Sequence, residues 1–145
     1  MLQVCVDANI LVKLVLFEEY SDLASTLWQA WEEQEVERIA PPFMPFEAVS
    51  AIRSNLTRKL ISAQEADIAF HNLQSHLQAV RLQSPPDLLE RAWETAKGLR
   101  QGQVFDAYYV ALAQLLDCEL WTVDEKLYVA SFRVYSKVKH IRSAR

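Results

Sequence analysis

Along the chain, short unbroken apolar runs alternate with longer stretches in which apolar residues recur every three or four positions. The first pattern is that of buried strands and the second that of amphipathic helices. Residues 2–6 predict a buried strand ending at Asp7, and residues 8–14 a short apolar helix. Ser21 is the expected N-cap of a second helix over residues 21–34, with Leu23, Leu27, Ala30 and Trp31 on one face. Residues 36–40 give a second strand, closed by Pro41-Pro42. A third helix from Phe43 carries the stripe Phe46, Val49, Ile52, Leu56 and Leu60. Ser62 and Glu65 have capping-box spacing at the head of a fourth helix that reaches about Leu77. Residues 79–82 form a third strand, and residues 88–100 a fifth helix with Trp93 inward. A sixth, alanine-rich helix holds Phe105, Tyr109, Leu112 and Leu116 at helical spacing. A strand over residues 119–123, a helical turn from Asp124 and a strand at residues 133–135 complete the chain.

This alternation predicts an α/β domain in three layers, with a central, mostly parallel sheet and helices on both faces. A chain of 145 residues is enough for one domain with one core, residues 1–145. Only two glycines are present, which excludes the Gly-rich loops that cradle nucleotide phosphates. Cys5 and Cys118 lie far apart in apolar runs without metal-type spacing, and read as buried free thiols. No apolar stretch approaches the ~18 residues of a membrane span, and residues 2–6 lack the flanks of a signal peptide. A cytoplasmic protein that does not engage membranes is the expectation. The net charge of −4 argues against binding nucleic acid by bulk electrostatics. It leaves room for a nuclease whose acids hold metal.

Four acids stand out by position. Asp7 follows the first strand, Asp124 follows the fourth, Asp106 opens the helix before that strand, and Glu47 begins the helix after the second. Ligands of open α/β sheets bind outside the carboxyl ends of the strands. Each aspartate taken alone reads as a helix cap. Glu47, set among Phe46, Ala48, Val49 and Ala51, needs a partner, because a buried unpaired carboxylate costs several kcal/mol, roughly. All four together suit a hard cation such as Mg²⁺ or Mn²⁺, for which oxygen-only ligands are apt. A phosphoryl-receiver site is the lesser alternative, since Asp7 lacks an acidic neighbour. Arg53, Arg58 and Lys59, with Lys137, Lys139, His140 and Arg142 of the tail, are the cations available to a substrate. Arg53 is the candidate substrate contact, against the plainer reading of a solvated helix face; for the tail, a disordered or edge-strand end is favoured. Trp28 and Trp31 read as core, and His71 and His76 as surface or half-buried helix positions.

Val6-Asp7-Ala8-Asn9, Pro45-Phe46-Glu47-Ala48-Val49, Phe105-Asp106-Ala107 with Ala111-Leu112-Ala113, and Thr122-Val123-Asp124 resemble the ordered acidic motifs of PIN-domain proteins, and most closely those of VapC-type toxin ribonucleases. The resemblance spans nearly the whole chain. It departs at Phe105, where tyrosine is frequent, and at residues 101–104, which lack the usual small hydroxyl. It implies a three-layer PIN-like fold and a Mg²⁺- or Mn²⁺-dependent endoribonuclease, the toxin of a toxin–antitoxin pair. It further implies Asp7, Glu47, Asp106 and Asp124 as catalytic metal ligands, with Asn9 and Thr122 beside them. RNA as substrate, a cognate antitoxin as partner and a homodimer follow from the same resemblance. The alternative is a catalytically weak PIN-like module that binds RNA or a protein.

Overall fold

The computed structural model describes residues 2–99 and 104–144. Strand β1 (Gln3–Val6) leads through helices α1 (Ala8–Val15) and α2 (Ser21–Glu33) to β2 (Glu37–Ala40). Helices α3 (Met44–Thr57) and α4 (Ala63–Leu77) connect it to β3 (Val80–Leu82). After α5 (Leu88–Leu99) and α6 (Phe105–Leu115) comes β4 (Glu119–Thr122), then α7 (Glu125–Phe132) and β5 (Val138–His140). The five strands are all parallel in the order β3-β2-β1-β4-β5, with Cys5 level with Ile39 on one side and Leu120 on the other.

The winding direction reverses at β1. The chain moves outward from β1 to β3, then returns to pair β4 with the other side of β1 and continues to β5. Right-handed crossovers therefore place α1 to α4 on one face and α5 to α7 on the other. The predicted three-layer α/β architecture is what the chain forms. The reversal leaves a crevice at the carboxyl ends of β1 and β4, the switch point where such sheets bind ligands. Asp7 and Thr122 stand at its edge.

The core holds Ile10 and Leu11 of α1, Ile39 of β2, Tyr109, Val110 and Leu112 of α6, and Leu120 of β4, each fully buried. Burial of such a side chain stabilises the fold by roughly 1.5–3 kcal/mol. The run Ala107 to Ala113 is buried almost throughout, so α6 lies against the sheet with small residues permitting close approach. Trp28 and Trp31 are buried, with rings meeting edge to face, and both cysteines are buried and free, as predicted. Ser62 and Glu65 close the capping box of α4 in both directions.

Several expectations are corrected. Ser21 is the first residue of α2 and Tyr20 its N-cap; the serine hydroxyl instead accepts from the Glu18 N–H and donates to the Leu16 carbonyl. Phe46 and Trp93, assigned inward, are 76% and 63% exposed. Phe105 is half exposed. Leu60 lies beyond α3, and its N–H bonds back to the Asn55 carbonyl across Lys59, whose φ is 60°. Glu35 and Asp117 close α2 and α6 by the same left-handed turn. With glycine so scarce, ordinary residues bear this conformation at roughly 1–2 kcal/mol each. The strand expected at residues 133–135 lies at Val138–His140, because α7 is a full two-turn helix rather than a single turn. The tail thus forms an edge strand, the favoured option for it. The expected end of the fifth helix at Arg100 and the missing hydroxyl at residues 101–103 fall outside the described residues. No helix among the described residues is long and apolar enough to cross a membrane.

Candidate active site

The three aspartates differ in what their carboxylates do. Asp7 occupies the N-cap position of α1 with extended backbone, yet its side chain makes no cap hydrogen bond. Its backbone N–H continues the sheet by donating to the Trp121 carbonyl at 3.0 Å. The side chain turns instead to β4, where Oδ2 accepts from the Thr122 hydroxyl at 2.8 Å and from the Asn9 amide at 2.9 Å. Asp124 is a true cap: Oδ1 accepts from the Lys126 and Leu127 N–H groups at 2.9 and 3.2 Å. Only one of its oxygens is used in this way. Asp106 sits in the first turn of α6, which starts at Val104 without a side-chain cap.

Asn9 and Thr122 knit these segments together. The Asn9 Oδ1 accepts from the Val123 N–H at 3.1 Å, while the Thr122 hydroxyl accepts from the Asp124 N–H at 3.0 Å. Both polar side chains predicted beside the acids thus tie Asp7 to the β4–α7 junction. On its far side, that junction is held by a residue that sequence reading assigned only to the tail. His140, 3% exposed, bonds through Nε2 to the Val123 carbonyl at 3.1 Å, and its Nδ1 accepts from the Arg142 N–H. The receiving Nδ1 makes Nε2 the protonated nitrogen.

Glu47, one turn into α3, reaches α6. The buried Tyr109 hydroxyl donates to its Oε1 at 2.5 Å. Tyr109 was assigned by periodicity to the core stripe; the signal of its second role is that a buried phenol needs an acceptor. It also lies three residues after Asp106, on the same helical face. Arg53 is exposed on α3, six residues past Glu47 and so about 120° around the helix. It is not brought into the acidic group.

The electrostatics are those of partly or fully buried carboxylates that repel one another. Burial, then repulsion from Asp106, Glu47 and Asp124, lifts Asp7 from 3.8 to about 7 against the Thr122 hydrogen bond. Burial chiefly raises Glu47, opposed by the Tyr109 hydroxyl and reinforced by Asp106. Burial and Asp124 raise Asp106. Among the described residues no lysine or arginine forms an ion pair with any of the four acids. Hard oxygen donors that repel one another and form no such pair are the donor type that divalent cations such as Mg²⁺ and Mn²⁺ take. As placed, no three His, Cys, Asp or Glu side chains among the described residues stand close enough to hold one ion.

A parallel α/β sheet whose winding reverses between β1 and β4 defines the structural class. The family model of the PIN domain matches residues 5–142, and the chain belongs to that family. Among solved structures, the fold is similar to that of PAE2754 from Pyrobaculum aerophilum, with a TM-score of 0.70 and 19% identity over 98% of this chain and 91% of that one. It is similar to a toxin–antitoxin complex from Klebsiella pneumoniae, at 0.66 and 18%, over 95% and 97% of the two chains. It also resembles Mycobacterium tuberculosis VapC20, a sarcin–ricin loop cleaving toxin, at 0.64 and 18%, over 88% and 94%. At these identities the likeness is one of fold. No curated protein matches the chain in sequence.

Proposed function

We propose that the protein is a divalent-metal-dependent endoribonuclease and the toxin of a toxin–antitoxin pair. The observation that supports this reading is that, in a PIN-domain fold, Asp106, Glu47 and Asp124 from three other segments lie near enough to Asp7 to repel its charge. Mg²⁺ or Mn²⁺ bound there would neutralise the scissile phosphate and acidify an attacking water. Asp7 and Asp106 are the direct ligands in this proposal. Glu47 and Asp124 complete the shell, directly or through water, or accept the proton of the attacking water. Asn9 and Thr122 orient the Asp7 carboxylate, and their bonds to the β4–α7 junction hold Asp124 in step with it. The toxin reading rests on the solved neighbours from Klebsiella pneumoniae and Mycobacterium tuberculosis. It brings with it RNA as substrate, an antitoxin protein that blocks the site, and a homodimer, all within the cytoplasm.

The test is cleavage of a mixed RNA panel with Mg²⁺, Mn²⁺ or EDTA, comparing wild type with Asp7→Asn/Asp106→Asn. Metal-dependent cutting that disappears in the folded double variant is the expected result. Equal cutting by both proteins would place the activity elsewhere. A second reading, a PIN-like module that binds RNA or a protein with little catalysis, draws on the separation of the acids as placed. It requires that the wild type neither bind Mn²⁺ nor cut any RNA.

A further inference from the structure

We propose that Tyr109 is the positioning residue of the acidic site, its phenol fixing the Glu47 carboxylate so that α3 and α6 present Glu47 and Asp106 to the same cation. The inference rests on the metal-site reading above. It starts from two helical pairs that face each other. On α6, Asp106 and Tyr109 are three residues apart; Phe43, the N-cap of α3, is four residues before Glu47, whose N–H donates to the Phe43 carbonyl at 3.2 Å. Such spacings put both members of a pair on one helical face. The pairs then interlock. The Phe43 ring meets the Tyr109 ring edge to face, with centroids 5.6 Å apart and planes at 87°. One turn on, the Tyr109 hydroxyl donates to Glu47 Oε1.

The two contacts have different consequences. Tyr109 is completely buried with Phe43 against its ring, and its hydroxyl is directed at Glu47. Glu47 is only half buried, and a free glutamate side chain has several rotamers to sample. A rigid donor at Oε1 removes much of that freedom before any ligand arrives. It takes one of the carboxylate's roughly four acceptor positions, leaving Oε2 and a lone pair of Oε1 for other partners. Removing the hydroxyl alone would leave the ring, its packing and the carboxylate in place. The orientation is what would be lost.

The experiment uses the full chain as wild type, Tyr109→Phe, Glu47→Gln and the double variant. Mn²⁺ binding is followed by electron paramagnetic resonance of the free ion, and thermal unfolding is recorded in EDTA. Tyr109→Phe is expected to weaken Mn²⁺ binding by about 10–100-fold, as loss of a ligand-orienting partner does. Its metal-free unfolding should stay within a few degrees of wild type, and in the Glu47→Gln background it should weaken Mn²⁺ no further. A Tyr109→Phe protein that binds Mn²⁺ as wild type does, while Glu47→Gln binds weakly, overturns the positioning role and leaves the metal site standing. If wild type binds no Mn²⁺, or Glu47→Gln binds it unchanged, the metal-site reading of Glu47 itself falls and the inference with it.

Discussion

Replacing Asp7 by asparagine should make the metal-free protein more stable while destroying its proposed activity. The Asp7 carboxyl is 7% exposed and lifted from 3.8 to about 7 by burial and by the like charges of Asp106, Glu47 and Asp124. A carboxyl held above its unfolded pKa gives stability that is fully present below about pH 4 and is lost as pH rises through 7. At 1.36 kcal/mol per unit, that loss amounts to about 4 kcal/mol at pH 8 but only about 1.7 kcal/mol at pH 5. Glu47 and Asp106, also raised, add to the slope in the same direction. Asparagine has no charge to desolvate. Its amide oxygen can take over the role of Oδ2, which accepts from both Thr122 and Asn9. Urea unfolding in EDTA should therefore show Asp7→Asn more stable than wild type by about 2–4 kcal/mol at pH 8, with the gap shrinking by about half at pH 5. Mn²⁺ at a hundred times its dissociation constant should stabilise wild type by about 2.7 kcal/mol and leave the variant unchanged. An Asp7→Asn protein less stable than wild type at pH 8, or a gap that ignores pH, would refute the reasoning. Asp7 would then be a satisfied structural group.

Two further perturbations separate site from scaffold. Thr122→Val removes the hydroxyl that donates to Asp7 and accepts from the Asp124 N–H, so Asp7 should hold its proton to still higher pH. Mn²⁺ affinity should fall by about 10–100-fold and the pH profile of RNA cleavage should move to higher pH, both measurable in one titration series. Ser62→Ala opens the capping box of α4, remote in sequence from every proposed ligand. It should cost about 1 kcal/mol, visible as a melting point lower by roughly 3 °C, with cleavage unchanged.

Among the described residues, periodicity and strand-like runs located the first four strands and first six helices to within a few residues, whereas the last strand was expected at 133–135 and lies at Val138–His140. The errors share a cause. Phe46, Trp93 and Phe105 fit an apolar stripe, but a stripe does not say how far around the helix the partner extends; α3 buries Met44, Ala48 and Ile52, and α5 buries Leu88, Ala92, Thr95, Ala96 and Leu99, leaving Phe46 and Trp93 outside that face. The ends of α2, α3 and α6 were illegible for a different reason. Each closes on a left-handed residue, at Glu35, Lys59 and Asp117, that glycine would ordinarily announce.

At the site, sequence could nominate the four acids but could not divide them into caps and candidate ligands. Capping and ligation make the same demand on sequence, an acid at a helix start, and differ only in where the oxygens point. Asp124 spends one oxygen on the N-terminal amides of α7, whereas Asp7, in the same kind of position, gives its oxygen to Thr122 and Asn9 across the switch point. The distinction depends on β1 and β4 being neighbours, a pairing across more than a hundred residues that no local pattern encodes. Tyr109 and His140 were missed for the same reason. A tyrosine on an apolar stripe and a histidine in a basic tail have ordinary local readings, and their polar atoms acquire meaning only when α3 supplies Glu47 and β4 supplies the Val123 carbonyl. The acids are therefore legible one by one, and the frame that aims them is tertiary. Carboxylates that raise one another's pKa, with no ion pair to a lysine or arginine among the described residues, are a destabilising arrangement. Placed where the sheet reverses, such an arrangement supports the proposed ligand role over a purely structural one.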